Sequence, residues 1–283
     1  MAQIQYKELL DAGVHFGHLT RKWDPRMAPY IFMEKNGIHI IDLNKTLASL
    51  DQASAAMRQI IRSGRKVMFV ATKKQAQEVV ASEALRLKMP FVTERWLGGM
   101  LTNFATVRKS LKKLSSIEKL MKEETFNNMA KRERLMVSRE RDKLQRVLGG
   151  IADLTRLPAA LFVIDVKREH IAIAEAKKLG IPVFAMVDTN SNPEVVDFPI
   201  PANDDAYKSV SIITLAIGKV IEEALMERKK DKDDQRLQEE EDSKRQADSR
   251  SRKSEATGSD DETDAPKAEK VEVGEEKVEE EED

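Results

Sequence analysis

His15 and His18 stand three residues apart near the start of the chain, and Asp188, Asp204 and Asp205 fall in segments that follow apolar runs much later. Imidazole nitrogens and carboxylate oxygens suit a hard or borderline divalent cation, which would tie the N-terminal segment to a sheet edge. The plainer reading is one packed histidine and one hydrogen-bonded to a carbonyl or carboxylate, so the sequence alone assigns no metal. A second cluster overlaps the first: Arg21, Lys22 and Arg26 surround Trp23. Cations interleaved with an indole suit an RNA backbone and an unstacked base. Further along, Thr72-Lys73-Lys74 follows the apolar run 67–71, and Arg95 opens the stretch Arg95-Trp96-Leu97-Gly98-Gly99-Met100-Leu101-Thr102-Asn103-Phe104.

Other chemistry is unsupported. The 283 residues contain no cysteine, which removes disulfides and thiol nucleophiles. No strand is followed by Gly-x-Gly-x-x-Gly or a Gly-Lys-Ser/Thr loop, and no Gly-x-Ser-x-Gly is present. Thr72-Lys73-Lys74 puts bulky side chains where a pyrophosphate needs glycine. No cofactor is expected. Two alternatives stay open: a nucleotide-binding α/β enzyme with unrecognised loop chemistry, and a protein-binding adaptor.

Charge separates the chain into parts. From Asp231 onward there are 22 acidic and 10 basic residues, which leaves 27 acidic and 38 basic before that point. The first part is thus a cationic body of net charge +11 and the second an anionic tail of net charge -12. An excess of cations attracts phosphate and supplies the counterion-release contribution to nucleic-acid binding. No apolar run approaches the roughly 20 residues of a membrane span, so a soluble, cytoplasmic protein without a membrane partner is expected.

The elements that must position these residues follow from periodicity. Residues 6–12 read as a short helix closed by Gly13, and 14–27 as irregular. Asn36-Gly37 between apolar runs predicts a hairpin. Strands at 67–71, 91–92, 160–164 and 183–187 alternate with helices at 44–62, 75–87, 169–179 and 205–230, with at most an edge strand at 196–200. Alternation of this kind implies a mostly parallel sheet with helices on both faces. Between the glycine pairs Gly98-Gly99 and Gly149-Gly150 the pattern changes. Leu111, Leu114, Ile117, Leu120 and Met121 form one helical stripe, and Leu135, Met136, Leu144, Val147 and Leu148 a sparser one, with a turn at 123–128. Trp96 and Phe104 read as apolar plugs at the exit, and Thr102 or Asn103 as the cap of the first helix. The expected organisation is an α/β body over 1–102 and 150–230, an antiparallel, coiled-coil-like helical hairpin over 103–149, and a disordered acidic tail over 231–283.

His15-Phe16-Gly17-His18, Thr20-Arg21-Lys22-Trp23, Ile38-His39-Ile40-Ile41-Asp42-Leu43, Thr72-Lys73-Lys74-Gln75-Ala76, Arg95 to Asn103, Leu161-Phe162-Val163-Ile164-Asp165, and Val187-Asp188-Thr189-Asn190 with Pro201-Ala202-Asn203-Asp204-Asp205-Ala206 occur in series. Over about residues 4–228 the chain resembles the bacterial small-subunit ribosomal protein S-two family. The resemblance implies a flavodoxin-like or Rossmann-like α/β body with an inserted hairpin and no catalysis. It also implies a monomer within the ribosome that binds small-subunit ribosomal RNA beside other small-subunit proteins, including the large mRNA-binding protein S-one. Carried to this sequence, the RNA contacts are expected at Arg21, Lys22, Trp23, Arg26, Lys73, Lys74, Arg95 and Asn103. Along the hairpin they are expected at Arg108, Lys109, Lys112, Lys113, Lys131, Arg132, Arg134, Arg139 and Arg141.

Overall fold

A computed structural model describes residues 4–256. The chain begins with helix α1 (Tyr6–Asp11), strand β1 (Phe16–Leu19), strands β2 (Ile31–Lys35) and β3 (Ile38–Ile41), and helix α2 (Leu43–Arg62). It continues through β4 (Val67–Val70), α3 (Lys74–Arg86), β5 (Phe91–Val92), α4 (Phe104–Leu120), α5 (Glu124–Asn128) and α6 (Lys131–Leu148). The last elements are β6 (Ala160–Ile164), α7 (His170–Lys178), β7 (Val183–Val187), β8 (Phe198–Pro201) and α8 (Tyr207–Ala256).

Five strands form a parallel sheet in the order β5-β4-β6-β7-β8. Each of β4, β6 and β7 is buried along its whole length, which is why they read as unbroken apolar runs. Phe69, Phe162 and Phe184 face one core with α2, α3 and α8, while Met68, Val70, Leu161 and Val163 face a second core with α7 and the roots of α4 and α6. The order reverses between β4 and β6, so the crevice beyond their C-terminal ends is where a doubly wound sheet offers a ligand site. One edge strand, β5, has two residues; the other, β8, carries Pro199 and Pro201.

A separate antiparallel sheet, β1-β3-β2, precedes α2. The Asn36-Gly37 turn has both residues at positive φ, 55° and 73°, as a tight hairpin of this hand requires. β1 corrects the expectation of an irregular 14–27. A register shift lies between Phe16 and Leu19, and that interruption hides the two-residue alternation by which a strand is read.

In the inserted region, α4 and α6 pack on one another, and the Lys113 ammonium meets the Glu140 carboxylate. α4 buries Val107, Leu111, Leu114 and Ile117 as its stripe requires. The stripe on α6 is buried only towards its end: Leu148 is in the core and Leu144 and Val147 pack against it, but Leu135 and Met136 are 50% and 63% exposed. Burial depends on what lies opposite a stripe, and periodicity alone does not supply it. The expected turn at 123–128 contains the short helix α5.

Each glycine pair has one constrained member. Gly99 has φ +86°, whereas Gly98 has nothing within 4 Å of an added Cβ. A Cβ on Gly150 would lie 2.2 Å from the Phe91 carbonyl, so the end of the insertion presses directly on β5. Asn103 occupies the N-cap of α4, but its side chain accepts from the Thr106 hydroxyl and caps no backbone amide.

The compact body ends at Asp231, and among the described residues the apolar cores end at Ala224 and Leu225. Helical backbone continues to Ala256. Extending a helix avoids the nucleation cost, and Lys, Arg, Glu and Gln are good helix formers. Residues 257–283 of the acidic tail lie outside the described residues.

Candidate functional site

The segment carrying the N-terminal histidines and cations is laced across the strand ends. His18 N–H donates to Thr189 Oγ1 at 2.8 Å, Asp24 N–H to the Thr189 carbonyl at 2.8 Å, and Asn203 N–H to the Val14 carbonyl at 3.0 Å. These bonds bring β1 and the turn after it onto the loops that follow β7 and β8.

There His18, Lys73, Asp165, Asp188, Asp204 and Asp205 converge. His18 Nδ1 lies 2.9 Å from Asp188 Oδ2, and His18 Nε2 lies 3.3 Å from Asp205 Oδ2. Lys73 Nζ is 2.5 Å from Asp205 Oδ1, 2.9 Å from Asp204 Oδ1 and 3.8 Å from Asp165 Oδ2. Four carboxylates therefore face one ammonium and one imidazole, which leaves the cluster short of positive charge. Burial, then Asp188 and Asp165, push the Asp204 carboxyl up to about 7 against the pull of Lys73. The Asp188 carboxylate raises His18 above the ordinary imidazole value even though burial opposes it. Burial disfavours the charge on Lys73, but Asp204 and Asp205 outweigh it and raise the lysine; burial likewise opposes the charge on Asp205, but Lys73 outweighs it and lowers the aspartate.

His18, Asp188 and Asp204 offer ligand atoms all within 4.8 Å of one another. Asp204 Oδ2 is buried with no hydrogen-bond partner, and the buried Asp188 Oδ2 meets only the His18 ring. Two buried carboxylate oxygens beside an imidazole, one of them unpaired, fit a divalent cation. His15 is not part of the cluster; its ring lies 4.0 Å from that of Phe16, tilted by 39°, and burial lowers its pKa. The sequence proposal of five ligands thus reduces to three, with Asp205 beside them on Lys73.

The cations expected to hold RNA divide into exposed and engaged ones. Arg21 and Lys22 are exposed in a turn of 3-10 helix after β1, and Trp23 is 38% exposed with its ring 5.0 Å from that of His39. Arg26 is exposed and 3.6 Å from Glu194. Lys22 and Trp23 line one side of a groove of about 600 Å³, and Lys167, His170 and Lys177 line the other. Lys74, Arg95 and Asn103 are exposed at the loops after β4 and β5. Lys73 is a correction: its ammonium is buried among three aspartates and has no free face for a phosphate. The reason is topological, because it sits at the reversal of strand order, where three strand-end aspartates require a counter-ion.

Along the insertion, Arg108, Lys109, Lys112, Lys131, Arg132 and Arg139 are exposed, while Lys113 pairs with Glu140 and Arg141 with Asp142. Arg134 is half-buried, with Nε lacking an acceptor.

Two carboxylates, Glu169 at the N-cap of α7 and Glu175 within it, escaped the sequence reading. Glu169 accepts from the Thr72 amide at 2.9 Å and from its hydroxyl; burial raises its pKa despite these bonds. Glu175 accepts from the loop 96–102. Both lie on the apolar stripe with Ala172, Ile173 and Ala176, and a charge on a buried stripe is the signal that marks them. The strand-end crevice is therefore filled by the chain's own ion pairs and hydrogen bonds.

The family described as Ribosomal protein S2 matches residues 9–224. The chain is 75% identical over 246 residues to the small ribosomal subunit protein uS2 of Cytophaga hutchinsonii, covering 87% of this chain and 97% of that one. It is 59% identical over 240 residues to the protein of the same name from Parabacteroides distasonis, covering 85% and 86%. With that of Flavobacterium johnsoniae it shares 61% over 231 residues, covering 82% and 91%.

Proposed function

The chain belongs to the Ribosomal protein S2 family, and we propose that it acts in translation as a structural constituent of the small ribosomal subunit, holding ribosomal RNA through backbone charge. The observation that carries this reading is the contrast between two surfaces. The strand-end crevice, where an α/β enzyme would hold a nucleotide, is filled by Lys73 with its aspartates and by Glu169 on Thr72. The turn beside it leaves Arg21 and Lys22 exposed next to a half-exposed indole.

Phosphate contacts position a protein on RNA, and a stacked base adds affinity without demanding sequence. Arg21, Lys22 and Arg26 hold the backbone in this reading, Trp23 stacks, and Lys74 and Arg95 extend the cationic track. The exposed cations of α4 and α6 add a second, outlying contact. The chain acts as a monomer within the particle, among other small-subunit proteins including the large mRNA-binding protein S-one, and it works in the cytoplasm. Reconstitution of small subunits tests this: the protein enters the particle, and the Arg21, Lys22 and Arg26 alanine variant enters poorly. Equal incorporation removes those three residues from the interface.

A second reading concerns the same corner of the fold and is compatible with the first. The unpaired buried oxygen of Asp204, with Asp188 and His18 beside it, favours a structural divalent cation, which would fasten β1 to the loops after β7 and β8. Metal analysis of the dialysed protein tests it, and a stoichiometry near zero removes it.

A further inference from the structure

The Glu175 carboxylate is buried, and among the described residues no lysine, arginine or histidine pairs with it. Its charge is met by dipoles alone. Oε1 accepts from Trp96 Nε1–H at 3.1 Å and from Gly99 N–H at 2.7 Å. Oε2 accepts from Leu101 N–H at 3.0 Å and from the Thr102 amide and hydroxyl, each at 3.1 Å. Burial by itself would favour the neutral acid, but these five donors hold the carboxyl below its usual range, and it stays ionised at neutral pH.

Three backbone amides from one short loop around a single anion, after a strand and just before a helix, form the arrangement with which α/β folds grip phosphate. The +86° φ at Gly99 turns its amide towards the same centre as those of Leu101 and Thr102. The loop after β4 is filled from the N-cap of the same helix, with Glu169 accepting the Thr72 amide.

We propose that residues 96–102 form an anion cradle of the phosphate-binding kind, occupied in cis by Glu175 as a built-in ligand, which makes Glu175 the residue that positions Arg95 and the start of α4. The loop therefore meets its anion on folding and needs none from solution. An aliphatic residue at 175 would leave three amides, an indole N–H and a hydroxyl facing a void. This inference goes beyond the role proposed above, and its test uses the free protein, so it stands or falls without RNA.

Glu175→Ala removes the carboxylate and leaves space for an acetate ion. Thermal unfolding of this variant and of the protein that keeps Glu175, both carrying Trp23→Phe so that Trp96 is the sole tryptophan, is followed in sodium acetate and in sodium chloride of equal ionic strength, with Trp96 emission as a local readout. The variant should lose several degrees of midpoint, and acetate, not chloride, should restore roughly half of that loss while leaving the protein that keeps Glu175 unmoved. Should the alanine variant fail to fold, Glu175→Gln supplies the test, because it fills the space but loses the charge. Amide exchange at Gly99, Leu101 and Thr102 should then quicken at least tenfold with protection in β4 and β6 unchanged. An acetate response no larger than that of chloride in folded Glu175→Ala, or unaltered exchange at the three amides in Glu175→Gln, overturns the proposal.

Discussion

Replacing Arg21, Lys22 and Arg26 together by alanine should weaken RNA binding by an amount the structure allows one to estimate. Arg21 and Lys22 are exposed and among the described residues form no ion pair, so each should displace one condensed counterion from RNA. Arg26 stands 3.6 Å from Glu194, an exposed pair that must be broken before the guanidinium turns to a phosphate, so it contributes only in part. Two contacts at about 0.7 to 0.9 of a logarithmic slope unit each lower the salt dependence by about 1.4 to 1.8. At an ionic strength of roughly 0.15 M the same numbers correspond to about a 15- to 30-fold loss of affinity, with the two proteins converging near 1 M salt. The assay is a salt series of equilibrium binding to a small-subunit RNA fragment. Glu194→Ala is the companion variant: it releases Arg26 and should tighten binding slightly at low salt. A triple variant that loses affinity by the same factor at every salt concentration refutes the electrostatic argument, since the loss would then come from shape or folding.

Other outcomes follow from the same geometry. Zinc added to the free protein should raise its thermal midpoint, and more so as pH rises from about 6 to about 8, because His18 and Asp204, with pKa values raised (the latter to about 7), must lose protons to ligate; a response that persists in His18→Ala refutes the site. Without metal, the raised His18 pKa means that its contact with Asp188 stabilises the fold fully below the unfolded imidazole value of 6.5 and is lost as pH passes the folded value; His18→Gln should flatten that decline in unfolding midpoint. Thr72→Val removes a hydroxyl that bonds Glu169 and accepts from Arg168 Nε at 2.8 Å, and should cost about 1–3 kcal/mol in urea unfolding with an unchanged m-value. Leu148→Ala should cost about 2–5 kcal/mol and Met136→Ala less than about 0.5, since only the first is buried; equal losses would contradict the packing of α6.

What the sequence made legible was governed by whether a residue's role is local. The strands β4, β6 and β7 could be read because burial on both faces demands unbroken apolar runs, and the hairpin before α2 because Asn36-Gly37 accepts the positive φ that the turn needs. Arg21, Lys22 and Arg26 are exposed, as charged side chains in an irregular segment ordinarily are. Lys73 was misread for the opposite reason: its environment is made by Asp165, Asp204 and Asp205, distant in sequence and joined only by the sheet order. Glu175 was hidden in the same way, since its donors lie more than seventy residues away. Of the metal set, His18, Asp188 and Asp204 do meet, but the close spacing of His15 and His18 was misleading, because the two rings sit in different surroundings.

The prolines of β8 have a consequence for the chain before it joins a particle. Ala202 N–H bonds the Val187 carbonyl, so by the two-residue alternation the nitrogens of Pro199 and Pro201 face outward, away from β7. A neighbouring chain that tried to extend the sheet there would find those hydrogen-bond donors missing, and at the opposite margin, β5, it would find only two residues to pair with. Both margins of the five-stranded sheet are thus closed to strand-by-strand extension, which leaves β1 and β2 of the smaller sheet as the edges that a second chain would meet.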